Sequence, residues 1–215
     1  RLATRLRRRA RGRGARAKLS AAGRLDELAA RAEKIARQID QRLAGEKISD
    51  RLVSMFDADA RPIRKGKLRA PTEFGYVFQF AEITENTRRG ARGLLLPAPT
   101  TLGNPTEDTL LAATADELAR LALAPRDVAL DGAFNPGPTA GSLPDAHRVF
   151  IAGRQSTGSR HSDRRLAKYR VGCEGRISHL KRRYGTRRSR LKGERGARTT
   201  VGWSVLTYNL DTLAI

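Results

Sequence analysis

The chain is poor in the residues on which stapled, zinc-bound or membrane proteins depend. Among 215 residues there is one cysteine, Cys173, so no internal disulfide can form. One Cys and three scattered His give no zinc-finger spacing. That usage fits a reducing cytoplasm. No apolar run approaches the roughly 18 residues that a membrane span needs, and the basic N-terminus lacks the apolar core of a signal peptide. Aromatics make up only 5% of the chain and fall mostly in segments that read as strands, which argues against a stacking platform for single-stranded RNA. There is no initiator Met, the one Met being Met55. The chain is therefore expected to begin inside a longer protein.

Acid is scarce too. Lys and Arg number 43 against 22 Asp and Glu, a net charge of +21, and the isoelectric point is about 11.4. Such a surplus repels itself unless a polyanion is near, so nucleic acid is the expected partner. A merely solvated basic surface is the plainer alternative. Only eight of the cations are Lys. Arg holds phosphate bidentately and stays charged, although a GC-rich genome also favours it.

What remains is organised. Residues 1–18 carry nine cations and no acid, with a cluster at Arg5, Arg7, Arg8, Arg9, Arg11 and Arg13. They read as an arm or helix that lies on phosphate, or as a disordered tail. From Leu19 to Leu43, apolar positions at Leu25, Leu28, Ala32, Ile35, Ile39 and Leu43 predict one face of an amphipathic helix, capped by Ser20 and ended by Gly45. Strands are expected over 48–57, 74–84, 93–97, 126–131 and 148–152. Residues 58–71 read as a basic loop, 103–105 and 135–138 as turns, and 153–162 as a polar, basic loop. Helices are expected over 106–123, 162–184 and 196–213. The last has Val201, Val205 and Leu210 in its core and Trp203 packed. The sum is an α/β protein, a mixed sheet covered by helices. Residues 1–45 form a basic arm and helical insertion, and 46–215 the main domain.

Two carboxylates stand out. Asp131 follows Val128-Ala-Leu130 and precedes Gly132. A carboxylate at a strand's C-terminal end faces the crevice where open α/β sheets bind ligands. As a plain alternative, such an Asp is a turn-former. Glu174 lies on the long predicted helix with Arg170 four residues before it and Lys181 seven after, all on one face. The plain alternative is a salt-bridge ladder contributing a few tenths of a kcal/mol per pair. Against it stand the surroundings, with Arg182, Arg183, Arg187, Arg188, Arg190 and Lys192 following closely. From Arg160 to Arg198 there are fifteen cations and three acids. An acid inside so basic a surface suits a metal ligand beside DNA phosphates. Mg²⁺ takes hard oxygen ligands, often one or two carboxylates plus substrate phosphate. Metal ions so held can activate a water or a 3′-hydroxyl for in-line displacement at phosphorus.

The segments Arg51-Leu-Val-Ser-Met-Phe-Asp-Ala-Asp-Ala-Arg-Pro-Ile-Arg-Lys-Gly-Lys67, Glu73-Phe-Gly-Tyr76 with Gln79, Tyr169-Arg-Val-Gly-Cys-Glu-Gly-Arg-Ile-Ser-His-Leu-Lys-Arg-Arg-Tyr-Gly185 and the ending Asn209-Leu210 resemble bacterial insertion-sequence DDE transposases. The resemblance runs from about residue 46 to the C-terminus. It implies an RNase H-like catalytic domain that cuts and rejoins DNA with two Asp and one Glu around Mg²⁺ or Mn²⁺. Asp131 then matches the second Asp and Glu174 the Glu. Arg170 and Lys181 match the basic members of the family's Tyr-Arg-Glu-Lys signature, while its Tyr position falls on Ala167, with Tyr169 two residues on. Double-stranded DNA, as element ends and target, is the implied partner. A nucleoid-associated protein, homo-oligomeric in its active complex, is the implied setting. The family's first Asp precedes the helical insertion, and residues 1–18 contain no Asp. Asp50, Asp57 and Asp59 are alternatives, of which Asp57 and Asp59 read by default as turn residues. The expectation is a chain that starts after the first catalytic Asp and that folds and binds DNA with or without activity. A non-enzymatic, basic nucleic-acid-binding protein is the competing class.

Overall fold

In the computed structural model the described residues are 1–64, 72–85, 93–97, 99–154 and 158–214. They form two compact units, Arg1–Gly75 and Tyr76–Ile215.

In the first unit the basic N-terminus is helical. α1 spans Leu2–Arg8, a 3₁₀ turn covers Gly12–Gly14, and α2 runs Ala15–Leu43. Ala3 is buried, Arg7 pairs with Asp26, and Lys18 Nζ donates to the Arg9 carbonyl at 3.1 Å, so the arm folds back on α2. α2 starts four residues earlier than its apolar pattern predicts, because Ala15-Arg-Ala-Lys18 are good helix formers. Ser20 is therefore interior and Gly14 takes the N-cap. At the other end Gly45, at φ +77°, ends the helix as expected. Glu46 N–H reaches the Gln41 carbonyl and Gly45 N–H the Arg42 carbonyl, which closes the helix with a Schellman pair.

The strand expected over 48–57 is irregular backbone. It is tied to α2 by side-chain bonds instead. The buried Gln38 side chain accepts from Leu52 N–H at 2.6 Å and donates to the Leu52 carbonyl at 3.1 Å, and Lys34 pairs with Asp50. These bonds carry the unit beyond residue 45. Within the expected loop, β1 (Arg61–Arg64) pairs antiparallel with β2 (Thr72–Gly75). In a two-stranded sheet both strands are edges, which tolerates Pro62. Residues 65–71, with Lys65, Lys67 and Arg69, lie outside the described residues. Ile39 and Leu43 are 54% and 82% exposed, not packed as their periodicity predicts. With Ile35, Leu52 and Phe74 they line an open groove of about 400 Å³.

The second unit is mixed α/β. β3 (Glu82–Ile83) pairs antiparallel with β4 (Leu94–Leu95), and Gln79 N–H bonds the Pro99 carbonyl beyond them. The predicted strand 74–84 is thus split between β2 and β3. α3 (Glu107–Arg120) follows, N-capped by Thr106, whose hydroxyl accepts from Thr109 N–H. β5 (Asp127–Leu130) and β6 (Arg148–Ile151) form a parallel pair in register from Asp127↔Arg148 to Leu130↔Ile151. Between them the expected turn at 135–138 opens a short helix, α4 (Pro136–Ser142). Proline at the first helical position starts a helix as readily as a turn. α5 (Arg160–Arg183) and α6 (Gly193–Leu213) close the unit. Among the described residues the strands make three two-stranded sheets and no continuous mixed sheet.

One core joins Leu96, Leu111, Leu118, Phe134, Leu143 and Ile151, so it ties the β3–β4 pair, α3 and the parallel pair together. Another packs Leu95, Leu180, Val201, Val205 and Tyr208. Leu110, Leu166 and Leu180 are almost wholly buried, each contributing about 1.5–3 kcal/mol. Asn209 works like one more strand residue. It accepts from Leu95 N–H at 2.8 Å and donates to the Leu95 carbonyl at 2.9 Å, fixing α6 to β4. Trp203 and Leu210, expected in the core, are 65% and 57% exposed. The buried side of α6 is made instead by Ala197, Val201, Ser204, Val205 and Tyr208.

Candidate functional site: two carboxylates on one guanidinium

β5 ends at Leu130, and Asp131 is the first residue beyond it. Its Oδ1 accepts the Gly132 N–H at 2.6 Å. Gly132 is required by space. A Cβ there would stand 2.8 Å from the Ala152 carbonyl oxygen, just beyond β6. The chain therefore leaves the strand pressed against its parallel neighbour, and Asp131 stays at the strand's exit.

α5 packs against β5 and β6 and carries the other members. It is capped by Ser159, whose hydroxyl accepts from Ser162 N–H, and has Asp163 in its first turn. Ser162 also accepts from Arg148 of β6 at 2.9 Å. At the near end of β5, Arg165 pairs with Asp127. Burial pushes the Asp127 carboxyl up, but the Arg165 hydrogen bond and charge, with Arg148 and Arg126, outweigh it and hold the group below its ordinary value. These contacts fix the rotation and height of α5 on the parallel pair.

That placement brings Arg170 to Asp131. Arg170 Nη1 donates to Glu174 Oε1 at 2.6 Å and lies 3.5 Å from Asp131 Oδ1. The two legs bound the separation of these carboxylate oxygens at about 6 Å. The Asp131 and Glu174 side chains are 66% and 58% exposed, whereas Arg170 is 20% exposed. Its Nε is buried without a hydrogen-bond partner, so the guanidinium is held by its two carboxylates. The residues singled out from the sequence, Asp131, Glu174 and Arg170, thus meet.

Lys181 is on the same helix, about 10 Å further along its axis. Lys181, Arg182, Arg183, Arg187 and Arg188 are all exposed, in the last turn of α5 and the connection to α6. They form a cationic surface and are not part of the carboxylate cluster. His179 packs edge-on against Tyr184 with ring centroids 5.4 Å apart. Of the loop expected over 153–162, residues 155–157 lie outside the described residues, and α5 already begins at Arg160. Asp57 and Asp59 sit at a turn in the first unit.

The fit to a divalent metal rests on donor chemistry. Two exposed carboxylates converge on a spot that already holds a cation, the guanidinium. That suits Mg²⁺ or Mn²⁺, which complete their shells with water and phosphate. Among the described residues no group of three or more His, Cys, Asp or Glu side chains is arranged to hold an ion.

No family model matches this chain, nor does any curated protein or solved structure.

A second cluster was not anticipated. Glu82 in β3 has a side chain only 2% exposed. Its Oε1 pairs with Arg176 Nε at 2.7 Å and accepts Gly93 N–H at 2.7 Å, and its Oε2 accepts from the Cys173 thiol at 3.2 Å. Arg176 also lies over the Tyr169 ring, 5.9 Å from its centroid. A Cβ at Gly172 would meet Arg176 Nη1 at 2.7 Å, the movable end of that side chain. Burial, then the Glu82 charge, pushes the Cys173 thiol up to about 12 and the Tyr169 phenol up as well. Cys173 is a packed hydrogen-bond donor here. The available sequence signal was a lone Glu inside the apolar run Phe78-Gln-Phe-Ala-Glu-Ile83, because a buried charge demands a partner.

Proposed function

We propose that this chain acts in DNA transposition, binding duplex DNA and contributing two carboxylates to a metal-dependent site for strand cleavage and strand transfer. The observation that carries the reading is the meeting of Asp131 and Glu174 on the Arg170 guanidinium at the exit of a parallel strand. In this reading the second unit is an RNase H-like core. Its parallel pair supports a carboxylate at the strand end, and its long helix supplies the other.

Asp131 and Glu174 would hold Mg²⁺ or Mn²⁺. When bound, the metal supplies activation of a water or a 3′-hydroxyl and neutralises charge on the scissile phosphate. Arg170, freed from the carboxylates, is placed to take a phosphate oxygen. Lys181, Arg182, Arg183, Arg187 and Arg188 fix the duplex through its backbone without reading its sequence. The net charge of +21 draws the DNA in.

Nicking of a supercoiled plasmid in Mg²⁺ or Mn²⁺ tests the reading. The expected result is metal-dependent nicking that Asp131→Asn and Glu174→Gln abolish while DNA affinity is kept. The competing reading, a non-enzymatic DNA-binding protein, draws on the exposed cations of 181–192, which need no carboxylate. It predicts full binding and no metal-dependent cutting in wild type or variants. That result would overturn the enzymatic proposal.

A further inference from the structure

Arg170 occupies the place between Asp131 and Glu174 that a metal ion would take. Its Nη1 donates to Glu174 Oε1 at 2.6 Å and lies 3.5 Å from Asp131 Oδ1. Its Nε is buried with no hydrogen-bond partner. A desolvated donor without an acceptor is unfavourable, so among the described residues the head group is held by its two carboxylates alone. Its side chain is largely buried, while both carboxylates are open to solvent. The stem is thus fixed and the head can move. We infer that Arg170 is an exchangeable gate on this site. It fills the site when metal and DNA are absent and moves to a DNA phosphate when a divalent ion enters, so that metal and duplex bind cooperatively. The inference rests on the proposed metal site and adds its regulation.

Charge and geometry carry the exchange. The two carboxylate oxygens are at most about 6 Å apart, so a guanidinium and a divalent ion between them would repel at close range. Arg170 has to give up its place, and that weakens metal binding in the free chain. Its neighbours do not take over, since Arg165 and Arg176 are engaged on Asp127 and Glu82 and Lys181 is about 10 Å further along the helix. Asp131 keeps the Gly132 N–H at 2.6 Å, which holds its carboxylate through the exchange. The released guanidinium needs a new anion, and a phosphate offers a charge-assisted, bidentate one. Duplex DNA thus draws the competitor off the metal site, and metal frees the guanidinium for DNA. By linkage each tightens the other by the same factor.

Mn²⁺ binding read by electron paramagnetic resonance, with and without a short duplex, tests this in the whole chain and in Arg170→Met. The Met variant keeps the buried stem and loses the charge. Both carboxylates then rehydrate, so the thermal midpoint should hold. Arg170→Gln gives the same comparison if the Met variant fails to fold. Without DNA, Arg170→Met should bind Mn²⁺ about tenfold more tightly than wild type, the size expected for loss of a charge-assisted hydrogen bond. Adding duplex should tighten Mn²⁺ in wild type, and that gain should be about tenfold smaller in the variant. The part of the gain that comes from phosphate on the metal itself survives. Lys168→Gln is the charge control. Lys168 is exposed and turned about 200° away around α5, so its loss should leave Mn²⁺ affinity without DNA within about twofold.

Mn²⁺ binding that needs Asp131 and Glu174 but is equal in wild type and Arg170→Met without DNA would overturn the gate and leave the metal site standing. So would an equal gain on adding duplex, or an increase just as large in Lys168→Gln. Mn²⁺ binding absent from wild type and variant, with and without duplex, would overturn the gate and the metal site together.

Discussion

Replacing Arg176 with Met removes the charge that faces Glu82 while keeping the length of the side chain. Glu82 is left with the Gly93 N–H and the Cys173 thiol, in a site where its side chain is 2% exposed. Breaking one partner from a buried ion pair costs about 3–5 kcal/mol. The expected loss is therefore about 3–5 kcal/mol, a fall of roughly 6–20 °C in the unfolding midpoint. Glu82→Gln combined with Arg176→Met should recover more than about 1.5 kcal/mol of the sum of the single losses. Urea unfolding followed by circular dichroism measures all of this. Additive single losses, or an Arg176→Met loss below about 1 kcal/mol, would refute the buried-pair argument.

Ala122 ends α3 at φ +54°, with Leu123 N–H on the Leu118 carbonyl and its own N–H on the Ala119 carbonyl. Ala122→Gly relieves about 1–2 kcal/mol of left-handed strain against about 0.4–1 kcal/mol of added chain entropy. It should raise the stability measured in urea by about 0.5–1 kcal/mol. Gly132→Ala should do the reverse, because its Cβ meets the Ala152 carbonyl. A loss of about 1–3 kcal/mol is expected by the same measurement, together with weaker Mn²⁺ binding at the site proposed for Asp131. Asp127 is held below its ordinary value, with the Arg165 pair outweighing burial. Its contribution is therefore present above about pH 4 and lost as the pH falls through the lowered value. Asp127→Asn should be less stable than wild type at neutral pH, and the two stability curves should converge in acid.

Elements with a single apolar face were legible in the sequence. α3 reads correctly because Leu110, Leu111 and Leu118 mark one buried side. β5 and β6 read correctly as short apolar runs between turns. α6 has apolar residues on two sides, and the larger ones face outwards. Its core side is built from small or polar residues, Ala197, Ser204 and the Tyr208 ring, so hydrophobicity alone assigned Trp203 and Leu210 to the wrong face. The segment 48–57 has strand composition, yet at Leu52 both backbone groups are taken by the Gln38 side chain. That long-range bond leaves no local signal. Of the carboxylate site, the positions of Asp131, Arg170 and Glu174 were legible because a strand end and a helix face are set by local pattern. Their convergence on one guanidinium was not, since it depends on how Arg165 and Ser162 seat α5 on the parallel pair. The Glu82 cluster stayed hidden because Arg176 and Cys173 reach it from α5, some ninety residues along the chain, which leaves no local signal.

Electron paramagnetic resonance of Mn²⁺ titrated into the chain with a short DNA duplex reads the proposed two-carboxylate site itself, because it counts bound metal without requiring turnover. The expected result is a bound Mn²⁺ whose affinity falls at least about tenfold in Asp131→Asn and in Glu174→Gln, with duplex affinity unchanged. Mn²⁺ binding that is identical in wild type and both variants, or absent from all three, would rule out a metal held by Asp131 and Glu174.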